Sequence, residues 1–168
     1  MHLPTLLAAA RTSAWKRFLL NQGLNWTIPF NSPHGFKVIP QPLGGIRVRI
    51  PWWHVNRNHI KGMHACALAT GSELCSGLSV LEHLDPKQYR LIMASLHMEY
   101  HKQAKSTAFA QCNPTAADMQ AQVIGPLSNS ESVRYTSVIE VHDVKGTHIA
   151  TGTVVWQVKK WAHVKTKV

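Results

Sequence analysis

The chain has 168 residues, 45% of them hydrophobic and 15% charged, with a formal net charge of +10 from 18 basic and 8 acidic residues. That balance excludes an intrinsically disordered chain and suits one domain with its own core. No stretch approaches the roughly 18 apolar residues of a membrane-spanning helix, no zinc-finger spacing or aromatic RNP pattern points to nucleic acid, and Cys66, Cys75 and Cys112 lack the spacing of a disulfide framework or metal site, so reduced thiols in a cytoplasmic protein are expected.

Residues 1–22 contain no acid and carry Arg11, Lys16 and Arg17, while Leu3, Leu7, Ala10, Ala14 and Phe18 recur at helical spacing. The pattern predicts an amphipathic helix packed on the fold. A mitochondrial presequence has a similar composition, and weak contact of residues 1–22 with a membrane is another use of such a helix. Gly23, Pro29, Pro33, Gly35, Pro40, Pro42, Gly44 and Gly45 mark a connector, with a short strand at 36–39. The expected division is therefore 1–35 as helix and connector and 36–168 as the main domain. Ile46, Val48 and Ile50 alternate with Arg47 and Arg49, a strand with one face buried.

A long helix is predicted from the region 58–64 to about His83, with Met63, Ala67, Leu74, Leu78 and Leu81 as its apolar stripe and Asp85-Pro86 closing it. Gly71 and Gly77 lie inside it, each costing about 1 kcal/mol against Ala; both predict a close approach to the helix backbone. Residues 90–101 alternate, with Ile92, Ala94, Leu96, Met98 and Tyr100 on one side. Strands at 107–112, 133–142 and 148–161 follow, with a short helix near 114–123 and a hairpin turn at Asp143-Val144-Lys145-Gly146. One long helix followed by about four strands in an antiparallel meander predicts an α+β fold with the sheet wrapped around that helix.

The acidic residues are unevenly placed: none precedes Glu73, whereas Arg11, Lys16, Arg17, Lys37, Arg47, Arg49, Arg57 and Lys61 all do. Such a rim suits nucleic acid, an anionic membrane or a phosphorylated small molecule such as coenzyme A, and is also what a merely basic protein shows. Asn58 and Gly62 prepare a helix start, whose first-turn N–H groups are unpaired and can polarise a carbonyl oxygen; an Asn there is ordinarily a cap. The helical neighbours of Glu73 are Ala69, Thr70, Ser76 and Gly77, all small, so the carboxylate lies in a notch where it can act as general base or as nucleophile. A lone Glu on a helix is ordinarily just solvated. Cys66 at the helix start is a weaker nucleophile candidate, with no partner base identifiable. Ala65 and Glu73 are about 12 Å apart along a helix, so one carbonyl group cannot touch both unless they come from two chains related by a two-fold axis.

The run Asn58-x-x-x-Gly62-x-His64-Ala65-Cys66-Ala67-Leu68 followed by Glu73 resembles the Asn…Gly-x-x-His-Gly-Gly-Ala…Asp/Glu signature of hot-dog thioesterases of the phenylacetyl-CoA thioesterase type. His97–Ala104 is similar to that family's strand ending in an aromatic and a small turn, and Val138–Val158 to its terminal hairpin. The resemblance spans about residues 45–160. It implies a hot-dog fold with an N-terminal helical extension, a homodimer or homotetramer with sites at the subunit boundary, and hydrolysis of an acyl-CoA, with no cofactor beyond the CoA of the substrate. Carried over by position, Glu73 matches the catalytic acid, Asn58 and His64 polar groups near the thioester, and Ala65 the glycine whose N–H binds the carbonyl oxygen. Ala65 and Cys66 depart from two glycines, and Met93 stands where some relatives place a serine, with Ser95 two residues on. A non-catalytic module binding acyl-CoA or fatty acyl ligands, and a hydratase with His64 as acid–base group, are the other uses of the same fold.

Overall fold

Two helices, not one, open the chain: α1 (Leu3–Thr12) and α2 (Ala14–Thr27). They are separated at Ser13, whose backbone is extended and whose Oγ accepts the Lys16 N–H at 3.3 Å, the geometry of a helix cap. The break resets the helical phase. Leu7 and Ala10 are fully buried as their spacing predicts, but Phe18 faces outward and Leu20 takes the core position. The computed structural model describes residues 2–164; Met1 and residues 165–168, which the expected segments 1–35 and 36–168 include, lie outside the described residues.

Strands β1 (Lys37–Pro40), β2 (Ile46–Ile50), β3 (Tyr89–Tyr100), β4 (Ala108–Cys112), β5 (Ser132–Asp143) and β6 (His148–Lys160) form one antiparallel six-stranded sheet in the order β1-β2-β4-β5-β6-β3. The expected simple meander holds only for β4, β5 and β6. Helix α3 (Ala65–Leu81) lies across the sheet and touches every strand from β2 to β6. The chain enters α3 from the β2 side and leaves it at the opposite edge, so β3 pairs with β6 and the chain must cross back to place β4 beside β2. The result is the sheet wrapped around one long helix that the hot-dog resemblance implies.

Close wrapping explains the composition of α3. Gly71, Ser72, Ser76, Gly77 and Ser79 are all buried along with Leu68, Leu74, Leu78 and Val80. A Cβ on Gly71 would stand 2.3 Å from Ile50 Cδ1, and one on Gly77 would stand 3.1 Å from the Trp156 ring. Both predicted approaches are real, and β2 and β6 make them. Gly71→Ala is therefore expected to destabilise the protein by about 1–3 kcal/mol, because overpacking outweighs the gain in helix propensity. Adding Ile50→Val, which removes the clashing methyl, is expected to restore part of that loss in urea unfolding; equal loss in both variants would place the strain elsewhere.

The alternation in β3 slips. Its pairing with β6 shifts register between Met93 and Ser95, a bulge that leaves Ala94 without an opposite residue. Before the bulge Tyr89 and Leu91 pack on the core; after it Leu96 and Met98 do. Ile92 and Ala94 thus do not share a face with Leu96, Met98 and Tyr100, since an extra residue inverts the period of two. The hairpin at 143–147 forms as read: Asp143 Oδ1 accepts from Lys145 N and Thr147 N, and Gly146 takes φ +80°. The short helix is α4 (Ala116–Met119), capped reciprocally by Thr115 and Asp118 and continued by a π-helical turn over Gln120–Ile124.

Candidate active site

The start of α3 is held by a short, tightly bonded loop. Asn56 is fully buried; its Nδ2 donates to the carbonyls of His34 and Pro51 at 2.9 and 2.8 Å, and its own carbonyl accepts the His64 N–H at 2.8 Å. Asn58 Oδ1 accepts from Ile60 N at 3.2 Å and Gly62 N at 2.9 Å, which closes the turn before the helix. Asn58 is therefore not the helix cap. That role falls to His64, whose Nδ1 accepts the Cys66 N–H at 3.1 Å. Met63 N donates to Ala104 O at 2.7 Å, so the loop is anchored to the chain just beyond β3.

This capping leaves one first-turn donor unused. The N–H groups of Cys66, Ala67 and Leu68 are all taken by His64, while among the described residues the Ala65 N–H has no acceptor. Ala65 lines a cavity of about 340 Å³ together with Asn58, Leu68, Tyr100, His101 and Lys102. The Asn58 amide oxygen is occupied by its turn, so only its NH₂ remains to donate. An unpaired backbone N–H at the positive end of a helix, with a second donor beside it, is an arrangement that polarises a carbonyl oxygen. Three of the four residues carried over from the resemblance, Asn58, His64 and Ala65, are thus brought together here. The Cys66 thiol is exposed and unbonded to another cysteine.

Glu73 is not with them. It lines a separate cavity of about 190 Å³ whose other walls are Ile28, Leu74, Gly77, Leu78, Leu81, Leu91 and Trp156. The notch expected from small neighbours is open at Gly77, but Ser76 points away, bonded to the Glu73 carbonyl at 3.0 Å and accepting from Trp156 Nε1 at 3.1 Å. No hydrogen-bond partner for the carboxylate occurs among the described residues, and its burial in apolar surroundings raises its pKa above the ordinary Glu value. A carboxylate so placed is a better base than a solvated one. The two cavities have no residue in common, which agrees with the helical separation of Ala65 and Glu73.

Two aromatic side chains reach these cavities from distant strands. Tyr100 ends β3 and its hydroxyl donates to Ala65 O at 3.1 Å, tying the strand to the helix start; desolvation first, then the nearby Cys66, raises its pKa. Trp156, on β6, closes the Glu73 cavity. Met93 and Ser95 flank the bulge of the edge strand, and neither is among the residues lining the two cavities.

The family model of DUF4442, a domain of unknown function, matches residues 20–158. Among solved structures, the fold is shared with a protein of unknown function from Pseudomonas aeruginosa described as a probable thioesterase (22% identity, TM-score 0.75, covering 85% of this chain and 95% of that one). It is also shared with a mutant thioesterase from the same organism (10% identity, TM-score 0.65, 83% and 93%), and with a thioesterase from Haemophilus influenzae (12% identity, TM-score 0.60, 77% and 82%). No curated protein matches the sequence.

Proposed function

The chain belongs to the DUF4442 family, and from that premise and the two half-sites on α3 we propose that it hydrolyses thioesters, acyl-CoA first among them. The observation that carries the reading is the pairing of an Ala65 N–H and a partly desolvated Glu73 carboxylate on one helix, neither with a hydrogen-bond partner among the described residues and the two too far apart to act on one carbonyl group alone. A symmetric dimer that sets two copies of α3 side by side unites Ala65 of one subunit with Glu73 of the other. The exposed edge of the sheet supports this assembly. Strand β3 is 12 residues long and pairs on one side only, with Ile92 and Met93 47% and 42% exposed, and a long unpaired edge of this kind is a template for pairing with a second copy.

In the united site the thioester carbonyl oxygen accepts from the Ala65 N–H and the Asn58 amide. Glu73 takes a proton from water as the oxygen of that water bonds to the carbonyl carbon. Collapse of the tetrahedral intermediate breaks the C–S bond, and the thiolate leaves and takes up a proton. His64 acts by fixing the helix start; its Nδ1 is committed to the Cys66 N–H.

The test is release of free thiol from a panel of acyl-CoA chain lengths by the full chain. Turnover of at least one chain length supports the reading. Tight binding of the panel with no thiol released overturns it in favour of a module that only binds acyl ligands.

A further inference from the structure

Beside the Ala65 cavity lies a second one, of about 410 Å³, lined by His54, Arg57, Asn58, His59 and Lys61. Asn58 lines both cavities, so they adjoin at the residue that would hold the thioester. No carboxylate lines the second cavity, and among the described residues neither Arg57 nor Lys61 has an acidic partner. Cations gathered around one cavity repel each other and are not brought together by folding alone.

The loop that carries them is tied down by backbone and side-chain hydrogen bonds. Asn56 pins its start, Arg57 pairs with Met63 across an isolated bridge, and Asn58 N donates to Gly62 O at 2.9 Å. The Arg57 guanidinium sits 5.2 Å from the Trp52 ring centroid, a contact that sets its direction without neutralising it. Lys61 adopts φ +60°, a backbone state that costs little for Gly or Asn but is uncommon for Lys. Strain of this kind persists where the surroundings enforce it, and it is concentrated at ligand clamps.

The geometry points to a phosphate-binding subsite at His54, Arg57, His59 and Lys61, filled by the nucleotide end of coenzyme A while its pantetheine arm runs past Asn58 to Ala65. The inference rests on the thioesterase reading and narrows its substrate. Four basic side chains around one cavity outnumber the single phosphodiester of a carrier-protein thioester, and they match a ligand with several phosphates. Charge-assisted donors from Arg and Lys are the groups that recognise such phosphates.

The experiment compares the full chain with Arg57→Gln and Lys61→Gln, using calorimetric binding of free CoA and of adenosine 3′,5′-bisphosphate, and hydrolysis kinetics on acyl-CoA and the matching acyl-pantetheine. Each variant is expected to weaken binding of both nucleotides by about tenfold or more, as loss of a charged hydrogen bond does. The acyl-CoA KM should rise in step at constant kcat, and the acyl-pantetheine KM should stay where it is. Unchanged nucleotide binding in both variants, equal KM changes on the two substrates, or preference for an acyl carrier protein over acyl-CoA would overturn the subsite. The binding arm needs no turnover. A wild-type protein that binds CoA through Arg57 and Lys61 yet hydrolyses nothing removes the hydrolase and keeps the subsite, and one that hydrolyses both thioesters equally, with the variants indifferent, does the reverse.

Discussion

Glu73→Gln is expected to lower thioester hydrolysis by about 10²–10⁴-fold, the usual contribution of a general base, while leaving the protein folded and, at neutral pH, more stable than the parent. The second half of that expectation follows from burial. Glu73 sits against Leu74, Leu78, Leu91 and Trp156 with no hydrogen-bond partner among the described residues, and desolvation raises its pKa. A carboxyl whose pKa is higher folded than unfolded favours folding only while protonated. Below the unfolded pKa it is neutral in both states and costs nothing; as pH rises through the folded pKa the charged form must be held in an apolar notch, and stability falls. The amide carries no such charge, so the stability advantage of the variant should be present at pH 7 and fade in acid, read by urea unfolding across pH. The same shift displaces the acid limb of the parent's pH–rate profile upward from the ordinary Glu range. Undiminished turnover by the variant would take Glu73 out of the chemistry, and a variant less stable than the parent at pH 7 would mean the carboxylate has a partner after all.

That Glu73 was legible in the sequence while its surroundings were not has a simple cause. Spacing along a helix fixes which residues share a face, so Gly77 beside Glu73 and the close approaches at Gly71 and Gly77 follow from the numbering alone. The cluster of Asn58, His64 and Ala65 is legible for the same reason, falling within eight consecutive residues of one loop and helix start. Which atoms touch across the fold is not local. Trp156 bonds to Ser76 from 80 residues away and Tyr100 to Ala65 from 35 away, and the spacing of neither aromatic along its strand marks the helix atom it reaches. The bulge at Ala94 is invisible to a search for period two, which it interrupts without a glycine or proline to mark it. The break at Ser13 did carry a signal, a serine three residues before Lys16 in cap position, but the apolar stripe runs straight through it. The basic loop read as a diffuse rim because charge totals do not reveal that Arg57 and Lys61 line one cavity.

Ala65→Pro isolates the other half of the site. Ala65 is the first residue of α3, a position where proline is favoured, and His64 before it has φ −68° and ψ 136°, the extended conformation that a following proline requires. The substitution removes the Ala65 N–H, which bonds to nothing among the described residues. The expected result is an unchanged Tm with kcat reduced by about 10²–10³-fold, the cost of one oxyanion donor. The two inactive variants then report on each other. In a mixed dimer, the Glu73→Gln subunit still supplies Ala65 and the Ala65→Pro subunit still supplies Glu73, so one of the two shared sites is intact. Co-expression at equal levels is expected to restore about a quarter of the parent activity, since half of the dimers are mixed and each holds one working site. If both groups instead served a site within one chain, every chain in the mixture would lack one of them and nothing would be regained. Recovery therefore tests the placement of the site across two copies independently of which acyl group it accepts.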